Sequence, residues 1–189
     1  MVFIEIQNLQ ELEKERKWEQ VISLLQDKWE QDKNNTDILL RLASECWYIM
    51  SSWEFFDLDD SMLSFDNVQS ILIETYNYFV KSRMLHNNAL AIFGYMVALF
   101  PNYFYTDFDK TGKLFLQYQS KGKDMLKLAY ANEPENKLFK ALCLGANNGF
   151  NKELINTNKE LKNIIQQLFP HDTEIEKYFK DVLLNLGLQ

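Results

Sequence analysis

The pair Asn34-Asn35 divides two runs in which apolar residues recur every three or four positions, Lys17 to Trp29 before it and Thr36 to Tyr48 after it. Such spacing gathers the large side chains on one face of a helix, where nothing in the helix itself can cover them. Two helices of this kind, joined by a few polar residues, must close on each other and on a further neighbour. The same period continues down the chain and no alternating strand-like run interrupts it, so the sequence predicts an all-α protein. Helices are expected near 5–15, 18–32, 36–52, 65–83, 87–100, 110–131, 136–147, 151–168 and 173–186. These make about nine helices, arranged as an irregular stack of antiparallel hairpins.

The run from Ala89 to Phe100 is apolar on every side, which marks a central buried helix. It is far shorter than the roughly 20 residues a membrane span needs, so no membrane association is expected. Pro101 should stop it, because the residue before a proline is pushed out of helical geometry, and Asn87 or Asn88 can cap its start. Within 65–83, Val68, Ile71, Leu72, Thr75, Tyr76 and Phe79, followed by Met84, mark one amphipathic face. Thr173 with Glu176 reads as a capping box for the last helix, and Pro170 separates that helix from the one before.

With 189 residues, 3 prolines and 6 glycines and no low-complexity tract, the chain reads as one domain over 1–189 with no linker. The formal charge is -7, from 27 acidic and 20 basic residues. That balance, with dispersed Lys and Arg, disfavours a nucleic-acid partner and favours a basic protein surface. The start Met1-Val2-Phe3-Ile4-Glu5-Ile6 lacks the basic and long apolar regions of a secretory signal, so a cytoplasmic location is expected. Cys46 and Cys143 each lie in an apolar helical pattern and are expected to be buried free thiols.

No catalytic constellation is legible, and the chain is read as a binding protein rather than an enzyme, with no cofactor and no metal. Asp107-Phe108-Asp109-Lys110-Thr111-Gly112 imitates the first half of an EF-hand loop, but its twelfth position is Tyr118 where a bidentate glutamate is needed. A turn capping the helix from Lys110 explains the same residues. Gly112-Lys113 lacks the rest of a phosphate loop. His86 and His171 both stand at helix boundaries, where capping or solvent exposure is expected.

Two segments combine acids with large aromatics, the mixture in which burial supplies affinity and charge steers encounter. The first is Trp53, Glu54, Phe55, Phe56, Asp57, Asp59 and Asp60, which fits no helix period well. Its aromatics can dock on the core as a connecting loop, or anchor a partner. The second follows the central helix and offers Tyr103, Tyr105, Asp107 and Asp109. A lid over the core and a contact surface are both open readings for it.

The hairpin around Asn34-Asn35 resembles the tetratricopeptide (TPR) repeat, in which each hairpin needs a neighbour to bury its apolar face. Gly122 to Asn136 is the best match, with Gly122 and Ala129 at the small positions and Glu133-Pro134-Glu135-Asn136 as the closing turn. The segments Leu90 to Phe104 and Ile175 to Leu183, together with the acidic TPR-like character of the chain, resemble small bacterial immunity proteins of contact-dependent growth inhibition systems. That resemblance implies a protein that binds and neutralises a cognate toxin domain with a basic surface. The alternative is a TPR-like adaptor or scaffold that holds a cellular protein or peptide.

Overall fold

A computed structural model of the chain describes residues 3–56, 58, 63–82, 86–148 and 159–184. The elements are α1 (Leu9–Lys14), α2 (Trp18–Gln31), α3 (Thr36–Ser51), α4 (Trp53–Phe56), α5 (Phe65–Ser82), α6 (Asn87–Leu99), a 3-10 turn η1 (Pro101–Phe104), α7 (Lys113–Asn132), α8 (Lys137–Asn148), α9 (Lys159–Leu168) and α10 (Glu174–Leu184). Among the described residues there is no strand, and the all-α expectation holds. The chain divides into two compact units. One comprises residues 3–84 and 171–176, the other residues 1–2, 85–170 and 177–189.

In the first unit α1 packs on α2, α2 on α3 and α3 on α5. Helix α2 buries Trp18, Val21, Ile22, Leu25 and Trp29, the one-faced spacing of a covering helix. Helix α3 is buried all round from Leu39 to Met50. It is the centre of this unit, which its sequence conceals because Arg41, Ser44 and Glu45 read as a polar face. On α5, Val68, Ile71, Leu72, Thr75, Tyr76 and Phe79 are buried as the period requires, while Met84 lies outside the described residues.

In the second unit α6 is buried from Ala89 to Val97 and packs on α7 and α8; α7 also packs on α8, and α8 on α9. Close approach of α6 and α7 depends on glycine. A Cβ built on Gly122 would stand 2.5 Å from the Ala98 nitrogen, 2.8 Å from the Gly94 carbonyl oxygen and 2.9 Å from the Ala98 Cα. One built on Gly94 would meet the Gly122 oxygen, Leu126 Cγ and Met125 Cβ, each at 3.0 Å. Backbone lies against backbone here.

One connection occurs twice. Helix α2 ends at Asp32, whose N–H returns to the Lys28 carbonyl, and Asn35 then caps α3 by accepting from the Asp37 and Ile38 N–H groups at 3.2 Å each. Helix α7 ends at Glu133, whose N–H returns to Ala129, and Asn136 caps α8 by accepting from Leu138 at 3.1 Å and Phe139 at 3.3 Å. Asp32 and Glu133 have nearly the same backbone angles, φ -143, ψ 78 and φ -135, ψ 73. An asparagine carbonyl satisfies two helix-start donors, so four residues suffice to end one helix and begin the next.

Several boundaries differ from expectation for local reasons. Helix α1 begins at Leu9 and not near residue 5, because Asn8 is left-handed at φ 67 and the residues from Phe3, which is buried, to Asn8 are non-helical. His86, not Asn87 or Asn88, caps α6, its Nδ1 accepting from the Ala89 N–H at 3.3 Å. Asn87 instead donates to Glu133 at 2.7 Å and accepts from Asn132 at 2.8 Å. The helix expected from 110 begins at Lys113, since Gly112 at φ 71 occupies the left-handed region before it. Residues 151–158 of the expected 151–168 helix lie outside the described residues. Cys46 and Cys143 are buried thiols outside any disulfide.

Candidate functional site

The acidic-aromatic segment after α3 folds partly onto its own unit. Residues 53–56 form one helical turn where none was expected. Trp53 is half-buried and meets Phe65 edge-on, with ring centroids 5.4 Å apart. Phe56 packs on Trp18 at 4.8 Å and on Tyr48 at 5.4 Å, with the Arg16 guanidinium 5.8 Å from its centroid. These two aromatics are core-facing. Phe55, 82% exposed, and the exposed Glu54 remain on the surface. Asp57, Asp59 and Asp60 lie outside the described residues.

The segment after α6 is built differently. Phe100 ends α6 by returning its N–H to Met96, Pro101 starts η1, and Phe104 is fully buried. Tyr103 stacks on Phe100 with centroids 5.2 Å apart and planes 9° from parallel. Tyr105 leans on Tyr118 of α7 at 5.3 Å, and the Lys121 ammonium stands 4.2 Å from the Tyr118 ring. Each ring therefore anchors the segment to the helices beside it.

The far end is pinned by Asp109. Its carboxylate accepts from the Phe115 N–H at 2.8 Å and from the Thr111 hydroxyl at 3.4 Å, and Thr111 Oγ1 accepts from the Lys113 N–H at 3.4 Å. The Phe115, Lys113, Thr111 and Leu114 N–H groups hold the Asp109 carboxyl below its ordinary range, the Phe115 contribution being largest. This is a carboxylate at a helix start, satisfying donors that lack intrahelical partners. The residues that imitate half an EF-hand are a cap. Among the described residues, no three His, Cys, Asp or Glu side chains are placed to share a metal ion.

Between these two anchors stands Phe108, 90% exposed, flanked by the exposed Asp107. The Asp109 bond to Phe115 brings the start of α7 beside it, where Phe115 is 36% and Leu116 64% exposed. Single exposed apolar residues are ordinary; a group on a pinned turn is less so. Phe108 lies within the second acidic-aromatic segment without being one of its named contact residues, and Phe115 and Leu116 did not stand out in the sequence. A loop has no period to show which of its aromatics turn inward, and Phe115 and Leu116 fall in a helix that also carries the core residues Leu126 and Ala129.

Asp109→Ala should lower the melting temperature at neutral pH. A carboxyl held below its ordinary range contributes stability above that range and loses it as pH falls through the depressed value. The deficit of the variant, followed by circular dichroism against pH, should therefore shrink toward acid and vanish there.

Comparison with protein-family models, with curated proteins and with solved structures finds no match to this chain.

Proposed function

We propose that the chain acts by protein contact, as an immunity protein that binds a cognate toxin domain and neutralises it, with the aromatic turn at 103–118 as its contact surface. The observation that supports this most is Phe108. A phenylalanine left in water forgoes about 1.5–3 kcal/mol of burial, which a partner with a fitting apolar pocket recovers. Because Tyr103, Tyr105 and Asp109 already fix the turn, little ordering cost remains to be met on binding. Asp107, with the overall charge of -7, favours a basic partner surface at longer range, while Lys110 and Lys113 beside the turn favour acidic groups at its rim.

The adaptor reading draws on a different observation, the glycine-lined contact of α6 and α7 with α8 packed against both, which suits a TPR-like hairpin followed by the first helix of another. Contact through Phe108 separates the two: the inhibitor uses it to block a toxin, the adaptor holds a peptide without altering any activity.

Phe108→Ala should leave the melting temperature within about 1 °C, since an exposed ring contributes little to the fold. It should weaken binding to the toxin domain by about 2 kcal/mol or more, the effect expected of an anchor residue. Titration calorimetry on the purified pair reads this. Unchanged affinity would remove Phe108 from the interface.

A further inference from the structure

The overall charge of -7 is unevenly placed. The first unit carries 19 acidic and 8 basic residues and the second 8 acidic and 12 basic, which together make the 27 and 20 of the whole chain. The first unit is therefore formally -11 and the second +4. Surfaces of opposite sign on two units of one sequence are complementary between copies, and at ordinary salt they attract across about 8–10 Å.

Each unit also leaves one aromatic in water. Phe108 and Phe55 are the two most exposed large apolar side chains among the described residues, and they belong to different units. On the cationic unit, Phe108 is followed by the exposed Lys110 and Lys113, with Phe115 and Leu116 brought beside the turn by Asp109. From Lys110 to Leu128 five lysines stand against one acid, Asp124, which pairs with Lys127 at 3.2 Å. On the anionic unit, Phe55 projects from the single turn of α4 next to the exposed Glu54. Trp53 and Phe56 hold that turn on the core through Phe65, Trp18 and Tyr48. The Arg16 guanidinium lies 5.8 Å from the neighbouring Phe56 ring, so the negative character here comes from Glu54 and from the unit as a whole. Both exposed rings stand on backbone fixed by packed neighbours, which keeps the ordering cost of a contact low.

We propose that the chain associates with a second copy of itself head to tail, the Phe108, Phe115, Leu116, Lys110 and Lys113 patch of one copy receiving Phe55 and Glu54 of the next. Such a contact is heterologous, each copy using a different surface. Two apolar tips with a charged rim cover less area than a stable dimer needs, so the association is weak and reversible. It goes beyond the toxin reading and requires no toxin; where both hold, the second copy and the toxin domain compete for Phe108.

Sedimentation velocity of the purified full-length chain, from about 10 μM to about 1 mM, tests it. The expected result is a sedimentation coefficient that rises with concentration at about 0.05 M salt and much less at about 1 M. Phe108→Ala and Phe55→Ala should each weaken the association about tenfold or more, with unchanged thermal melts. Mixing them is the discriminating step. Each variant lacks one patch, yet Phe55 of the Phe108→Ala chain still fits Phe108 of the Phe55→Ala chain, so the two should associate with each other while neither associates with itself. A fluorescent label on one of them reads this directly. Sedimentation as a monomer at every concentration and salt would overturn the proposal. Loss of association in Phe108→Ala but not in Phe55→Ala would do the same, as would variants that fail to associate when mixed. Growth rescue by the native chain is a separate readout, so the toxin contact stands or falls independently.

Discussion

Gly122→Ala should destabilise the second unit by about 3 kcal/mol, at the upper end of what one added methyl does in a packed interior. In an ordinary helix the same change is favourable by about 1 kcal/mol, because alanine restricts the unfolded backbone and suits helical geometry. Here the new methyl would sit 2.5–2.9 Å from backbone atoms of Gly94 and Ala98. Backbone in a helix cannot swing aside, so α6 and α7 must separate along their contact. Overpacking wins over propensity. Gly94→Ala meets its neighbours at 3.0 Å, two of the three being side-chain atoms, and should cost far less, within about 1 kcal/mol. Hydrogen exchange of the α6 and α7 amides would compare the two variants. Equal protection in Gly122→Ala and the native chain would mean that the helices do not cross so closely.

Arg41→Met should be the most damaging single change in the first unit, costing about 3–5 kcal/mol, because it leaves Glu13 and Glu45 buried without their common cation. Burial raises the Glu45 carboxyl well above its ordinary range, with the Glu13 charge adding to this and Arg41 opposing it. A carboxyl with a raised value in the folded state contributes its full stability below its unfolded value and loses it as pH rises toward the folded one. Arg41→Met should therefore be tolerated best in mild acid and worst at alkaline pH. Glu45→Gln should be near neutral at pH 5 and increasingly favourable toward pH 8, since it removes the carboxyl that must otherwise ionise in the interior. All four tryptophans, Trp18, Trp29, Trp47 and Trp53, belong to this unit, so denaturant unfolding followed by tryptophan fluorescence reads it directly. A flat pH dependence of the Arg41→Met deficit would contradict the pairing.

Much of the helical order was legible because it is set by local chemistry. Asn35 and Asn136 cap the helices that follow them, Pro101 ends α6, and Thr173 accepts from the Glu176 N–H as a capping box does. The other half of that box is altered. The Glu176 side chain reaches back to the His171 N–H and not to Thr173, a choice made by the turn at 171–173 that no spacing rule encodes. The full burial of α3 was hidden because Arg41 and Glu45 look like surface residues, and the contact of Arg41 with Glu13 on α1 cannot be read from the spacing within α3. Asn8 and Gly112 shortened two helices by adopting left-handed geometry, which their residue types permit without requiring.

The proposed contact residues were less legible, because the geometry of a loop or a single helical turn decides which aromatics face inward. Trp53, Phe55 and Phe56 are adjacent and chemically alike, yet one helical turn sends the first and last to Phe65, Trp18 and Tyr48 and leaves Phe55 in water. Tyr103, Tyr105 and Phe108 divide likewise, two anchoring and one projecting. A cleft in the first unit was beyond sequence reasoning, since it joins residues 3–13 to Arg41 and to residues 171–176. No local pattern spans that separation.

The measurement that tests the proposed role most directly is growth rescue. The carboxy-terminal domain of the large exported effector that the immunity reading expects to be encoded immediately upstream would be expressed from an inducible promoter, with and without this chain at limiting level. Rescue by the native protein, lost or reduced with Phe108→Ala at equal abundance, is the expected result. Rescue that survives Phe108→Ala would keep the inhibitor and discard the aromatic turn as its contact. Arrest of growth by that domain to the same extent with and without the native protein, and no complex between the two when purified, would contradict the immunity reading itself.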